Sequence, residues 1–173
     1  MRKADPNLRV RRANIADVSA MMDLGRQGRT AAHWSRQQYE SVFVTTGHEA
    51  TSNRVAWVVE DDCIAQREKA PGKTPEILAF LVAHRIDIHP EWELENIVVA
   101  EAVRRQGLGT LLLREFVAHA RAEQGAAIFL EVRESNQRAH ALYEKFGFQK
   151  AGFRKDYYAS PAESAILYRL NIV

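Results

Sequence analysis

The chain of 173 residues predicts an α/β domain built on one mixed sheet. Three observations predict it. Short apolar runs of strand character are interleaved with segments of helical periodicity. Two of the runs, Ile77–Ile88 and Trp92–Val99, are separated by a His89-Pro90 turn and read as an antiparallel hairpin. The full order, β-α-α-β-β-β-α-β-α-β-β, puts helices between some strands and tight turns between others, so part of the sheet is antiparallel and part parallel.

Leu8–Arg12 alternates apolar and basic residues, as a half-exposed first strand does. Asn14 caps a helix, with Asp17 in the capping-box position and Met21, Met22 and Leu24 as apolar contacts. Ser35 and Gln38 repeat that signal for a second helix, from Ser35 to about Val44, introduced by Trp34. Val55–Glu60 reads as a strand, and Asp61–Pro75 (broadly 61–76), with its charges and Pro71-Gly72, as a solvated, flexible loop. After the hairpin, Gly107-Leu108-Gly109 opens a helix on which Leu108, Leu111, Leu112 and Phe116 recur at helical spacing, and Gly125 closes it. Ala127–Val132 is a short buried strand and Asn136–Phe146 a helix stopped by Gly147. Gln149–Tyr157 and about Ser164–Ile172 are final strands around a Ser160-Pro161 turn. No repeat or linker divides the chain, so residues 1–173 are expected to form a single domain.

Composition bounds the function. An apolar fraction of 46% and a charged fraction of 27% are those of an ordinary globular protein. A formal net charge of +2 gives no case for nucleic acid or a membrane surface. No apolar run reaches the roughly 20 residues of a span, and the basic start has no apolar segment behind it, so a cytoplasmic monomer or small homo-oligomer is expected. Cys63 is the only cysteine, which excludes a disulfide framework and a Cys-based zinc cluster; it has no evident activating partner. His33, His48, His84, His89, His119 and His140 show no metal-ligand spacing, so no metal is expected.

The informative stretch is Arg104-Arg105-Gln106-Gly107-Leu108-Gly109-Thr110, which leads from a strand into a helix. Unpaired N–H groups at a helix start, together with the dipole, favour an anion. Glycines let a ligand approach the backbone, and two arginines add charge. A diphosphate suits this chemistry. A Walker A loop needs Gly-Lys-Ser/Thr, and Thr110-Leu111 follow Gly109; a dinucleotide fingerprint needs a third glycine where Leu112 stands. A helix start that happens to hold glycines is the bland alternative.

The remaining pattern, Arg-x-x-Gly-x-Gly, resembles the pyrophosphate loop of the GNAT acetyltransferases. Leu130-Glu131-Val132-Arg133-Glu134-Ser135-Asn136 and Leu142-Tyr143-Glu144-Lys145-Phe146-Gly147-Phe148 are similar to two further signatures of that superfamily. With Arg154-Lys155-Asp156-Tyr157-Tyr158 and Trp34-Ser35, they most resemble the ribosomal-protein-alanine (RimI-type) N-acetyltransferases. The resemblance runs from Leu94 to about Leu170. It implies the GNAT fold, with a central sheet of about seven strands, and acetyl-CoA as co-substrate.

Amide formation from a thioester needs a neutral amine, a polarised carbonyl and a protonated leaving thiol. Glu131 interrupts an apolar strand, where poor solvation favours a general base; by resemblance it deprotonates the amine. Its alternative is a structural pair with Arg133. Tyr143 by resemblance protonates the CoA sulfur, or else is a core tyrosine. Asn136 by resemblance binds the CoA arm, although an N-cap is an equal reading. Backbone groups of Ile97, Val98 and Val99 would bind pantetheine and polarise the carbonyl. Glu93 and Glu95 compete for the base role and are read as sharing one strand face with Ile97 and Val99.

An α-amine titrates at about 7.7–8.0 and a lysine at about 10.4, so far more of the former is neutral at pH 7. Trp34, Tyr157 and Tyr158 would, by resemblance, shape a groove for a protein N-terminus, the family's usual acceptor being a ribosomal protein. Departures from the family pattern, His33, Ser164, Glu95 and the longer 61–75 loop, lie on the acceptor side. A small-molecule amine or lysine side chain with Glu95 as base, and a non-catalytic acyl-CoA-binding module, are the alternatives.

Overall fold

The computed structural model describes residues 8–28, 32, 34–44, 53–61, 76–86 and 90–172. The loop expected at 61–76 is described only at its ends, Asp61 and Glu76, and Cys63, His33, His48 and His89 lie outside the described residues. Seven strands form one sheet in the order β1-β2-β3-β4-β5-β7-β6. They are β1 (Leu8–Arg12), β2 (Arg54–Asp61), β3 (Glu76–Ile86), β4 (Glu91–Val99), β5 (Ala127–Arg133), β6 (Gln149–Ala159) and β7 (Ala162–Asn171). Only β4 and β5 run parallel; every other pairing is antiparallel. The expected hairpin is the β3–β4 pair.

Helices cover the sheet from both sides. α1 (Val18–Gln27) and α2 (Arg36–Ser41) lie on one face, where Met21, Tyr39, Val58, Phe80 and Val98 form a buried core. α3 (Leu108–Ala122) and α4 (Gln137–Phe146) belong to the other, whose larger core includes Leu112, Phe116, Ile128, Leu130, Tyr143 and Tyr168. The two capping boxes form as the sequence implies, Asn14 with Asp17 and Ser35 with Gln38. The first opens a 3-10 turn, Ile15–Asp17, ahead of α1. The helix opened by Ser35 stops at Ser41 rather than near Val44. A second 3-10 turn, Glu101–Val103, follows β4.

One expectation fails for a physical reason. β4 carries a β-bulge: Val82 pairs with Asn96 and Ala83 with Leu94, so Glu95 is the extra residue. A bulge puts two residues opposite one and reverses the alternation beyond it. Trp92 and Leu94 therefore face the α3–α4 core before the bulge, and Ile97 and Val99 face that same core after it. Glu93 points to the opposite face, so it does not share a face with Ile97 and Val99.

Candidate active site where two strands part

β4 and β5 are paired only from Glu91–Leu94 against Ala127–Leu130. Past Leu94, the bulge turns β4 away. Ile97, Val98 and Val99 are paired with β3 alone among the described residues, at Leu81, Phe80 and Ala79. A gap thus opens in the middle of the sheet, where β4 and β5 no longer bond to each other beyond Leu94 and Leu130.

The glycine turn closes one end of this gap. Arg105 and Gly107 both have positive φ, 65° and 92°, and Gly107 caps α3 without any side-chain hydrogen bond. A Cβ on Gly107 would meet nothing within 4 Å, whereas one on Gly109 would lie 3.1 Å from Leu142 Cδ2 and 3.9 Å from Val99 Cγ2. The first glycine serves the turn and the second the close approach of α3 to β4 and α4. Arg105, Gln106 and Gly107 are exposed, Leu108 is buried and Thr110 half-buried. Arg104 is drawn inward: its Nε donates to the Val99 carbonyl at 3.3 Å and its Nη1 lies 3.4 Å from Glu101 Oε1. Amides at a helix start beside arginines form an anion site.

α4 borders the same side. Asn136 caps it, its side chain accepting from the Ala139 amide at 3.3 Å. Tyr143 is 4% exposed, its ring packed near Phe148 and Tyr168. Burial, and then the proximity of Tyr158, push the Tyr143 phenol well above its usual value, so it stays protonated. One turn earlier, buried His140 donates from Nε2 to the carbonyls of Arg133 and Glu134, both at 3.1 Å, and its Nδ1 is 3.0 Å from the Tyr168 hydroxyl. Tyr168 in turn donates to Glu144 at 2.8 Å. This chain pins the β5-to-α4 turn; sequence spacing gave no sign of it.

Glu131 points to the opposite face of the sheet from Tyr143, because Leu130 and Val132 on either side face the α3–α4 core. Its side chain is 18% exposed and pairs with Arg154 Nη1 at 2.8 Å. The alternative pair with Arg133 does not form. Arg133 instead holds Glu163 at 3.3 Å and the carbonyls of Ser160 and Pro161, with its guanidinium 4.0 Å from the Tyr158 ring centre. Hydrogen bonding to Glu131, then burial, raises the Tyr157 phenol. Burial, then the charge of Glu131, pushes Tyr158 up to about 12. Tyr157 and Tyr158 stand edge to face at 5.1 Å, beside a bend where Asp156 has φ 53°.

Glu95 is held in a two-pronged pair by Arg54 of β2, with contacts of 2.9, 3.2 and 2.9 Å. Glu93 is pushed upward by burial and then by its neighbours Glu95 and Glu131. Trp34 packs on Tyr39 at 5.4 Å against the α1–α2 core, and Asn96 reaches the nearby Ala32 carbonyl at 3.4 Å. The structure thus gathers Glu131, Tyr157 and Tyr158 on one side of the gap, with the glycine turn, Asn136 and Tyr143 on the other. Arg154, Arg54 and Glu163 join the site as ion-pair partners that sequence reasoning left without roles. No group of three or more potential metal ligands occurs among the described residues, and no helix there is long and apolar enough to cross a membrane.

A model of the acetyltransferase (GNAT) family matches residues 26–148. The chain is 42% identical over 84 residues to the ribosomal protein bS18-alanine N-acetyltransferase of Escherichia coli, a match covering 47% of this chain and 57% of that protein. It is 40% identical over 79 residues to N-alpha-acetyltransferase RimI of Mycobacterium tuberculosis, covering 46% and 48%. The chain spans about half the length of the curated relatives it matches. The crystal structure of the ribosomal-protein-S18-alanine N-acetyltransferase of E. coli superposes with TM-score 0.73 at 27% identity, covering 95% of this chain and 94% of that one. Arabidopsis thaliana NAA60 in complex with acetyl-CoA shares the fold, with TM-score 0.78 at 17% identity over 95% of this chain and 98% of that one.

Proposed function

Because the chain belongs to the acetyltransferase (GNAT) family, we propose that it transfers the acetyl group of acetyl-CoA to the N-terminal α-amine of a protein. The names of its relatives point to the alanine end of a small ribosomal protein, and so to work in the cytoplasm. The observation that carries this reading is the gap between β4 and β5, with an exposed glycine turn and arginines at a helix start on one side and a carboxylate beside tyrosines on the other.

In this mechanism the amides of residues 105–110 bind the CoA diphosphate, helped by Arg105 and by Arg104 once it leaves Glu101. Pantetheine lies along Ile97–Val99 as an added strand, and a backbone N–H there polarises the thioester carbonyl. The acceptor amine enters from the tyrosine side and loses a proton to Glu131 as its nitrogen bonds to the acetyl carbon. The carbon–sulfur bond then breaks, and Tyr143 donates a hydrogen bond or its proton to the sulfur. Glu131 suits the base role better than Glu95 because its partner Arg154 is half-exposed, whereas the less exposed Arg54 grips Glu95 with two prongs.

The test is acetyl transfer onto peptides with free or blocked N-termini, read by thiol release and mass. Acetylation confined to free α-amines, with alanine-starting peptides preferred, is the expected result. Glu131→Gln should keep acetyl-CoA affinity and lower kcat about 100-fold at pH 7. Wild-type turnover in that variant would remove Glu131 from the mechanism. Acetylation of small amines or lysine in place of α-amines would redirect the acceptor assignment.

A further inference from the structure

A carboxylate base facing an amine has a built-in conflict. The negative charge that is to take the proton also stabilises the ammonium form and holds the proton on nitrogen. The structure sets a cation at that spot. Arg154, on edge strand β6, brings Nη1 to 2.8 Å from Glu131 Oε1, and its guanidinium carbon is 5.3 Å from the centre of the Tyr157 ring. Of the three arginines paired with carboxylates on the tyrosine side of the gap, it is the most exposed. Arg54 is locked on Glu95 by both prongs. Arg133, with an 11% exposed side chain, is tied to Glu163 and two carbonyls. The Arg154 side chain is 52% exposed and reaches its carboxylate from the surface through Nη1, so an arriving amine can displace it without unmaking the fold.

We infer that Arg154 is a positioning cation of the acceptor site: the acceptor amine takes its contact on Glu131, and the displaced guanidinium, still adjacent, keeps that amine from being trapped as an ammonium ion. The inference rests on Glu131 being the base. The remaining charged and titratable groups facing this spot do not do the same work. Glu93 and Glu95 on β4 add negative charge, and His84 on β3 works, with Arg154, to lower Glu93. Tyr157 and Tyr158 on β6 are held neutral by Glu131 and burial, as is Tyr143 on α4. Glu163 on β7 is matched by Arg133.

The test is kcat against pH from 6 to 9.5, at saturating acetyl-CoA and an alanine-starting peptide. Removing a cation within about 4–6 Å should raise the pH midpoint of the rising limb by about one unit in R154Q and R154A. R154K, which keeps the charge, should return it close to wild type. The limb belongs to the coupled amine and Glu131, so E131Q is compared with E131Q/R154Q on residual turnover; the same upward shift there assigns the effect to the amine. An unmoved or lowered limb in R154Q and R154A, or no shift in the Glu131→Gln background, overturns the inference while leaving Glu131 as base. If E131Q alone turns over like wild type, the base assignment fails and this inference falls with it. Acetyl-CoA affinity, measured alongside, should be unchanged in R154Q, since the anion-binding turn lies on the other side of the sheet.

Discussion

Tyr143, the proposed acid, combines two properties that pull against each other in that role. Burial raises its phenol well above the ordinary value, which makes full proton donation harder and hydrogen-bond donation permanent. A thiolate is a fair leaving group with a pKa of about 8.5 for a simple thiol, so a donated hydrogen bond covers much of what the step requires. Tyr143→Phe should therefore lower kcat by about 10-fold and leave residual turnover. Because the folded phenol titrates above its usual range, wild-type kcat should show no alkaline fall from Tyr143 between pH 8 and 10. A steady-state pH series on the two proteins checks both points. The residues around Glu131 were only partly legible. Glu131, Tyr157 and Tyr158 stand out by type and motif, but their partners come from other strands. Arg154 reaches Glu131 across β7, whereas Arg133, two residues from Glu131 on the same strand face, turns to the β6–β7 hairpin instead. Sequence spacing says nothing about which of two nearby arginines wins a carboxylate.

At the scale of elements, the turn into α3 was readable because its chemistry is backbone chemistry. Positive φ at Gly107 favours glycine outright and close packing at Gly109 favours a small residue, and both preferences show in the sequence. Substituting valine at 107 leaves its Cβ clear of other atoms but forces a β-branched residue into the left-handed region. The expected cost is about 1–2 kcal/mol of stability, with acetyl-CoA binding weakened about 10-fold as the amides of the turn shift. Chemical denaturation and calorimetric titration measure the two effects. The β4 bulge was not readable. Glu95 is an ordinary strand residue with no glycine or proline beside it, and the extra residue appears only when the register against β3 is laid out. That one insertion reverses which residues look toward which core, and it is what parts β4 from β5.

Across the whole molecule, the N-terminal edge is fastened by one arginine between two buried carboxylates. Arg11 lies 2.7 Å from both Asp17 and Glu60, whose side chains are 8% and 5% exposed, and so ties β1 to the start of the first helical segment and to β2. Arg11→Ala should cost about 3 kcal/mol in urea unfolding, because it leaves both carboxylates buried without their cation. Burial works to raise Asp17, but hydrogen bonds from Arg11 and the Asn14 amide hold it below its usual value. A depressed carboxylate stabilises the fold above its unfolded value of about 3.9, and that contribution fades as pH falls through the lower folded value. The stability gap between wild type and Asp17→Asn should accordingly be full at pH 6 and shrink below about pH 4. The sheet these contacts fasten is also a partition. In the proposed mechanism, with the CoA turn on one face and the acceptor pole on the other, the two substrates would occupy separate rooms and share one doorway, the gap between β4 and β5. Neither has to make way for the other on entering or leaving. The acetyl group alone changes rooms.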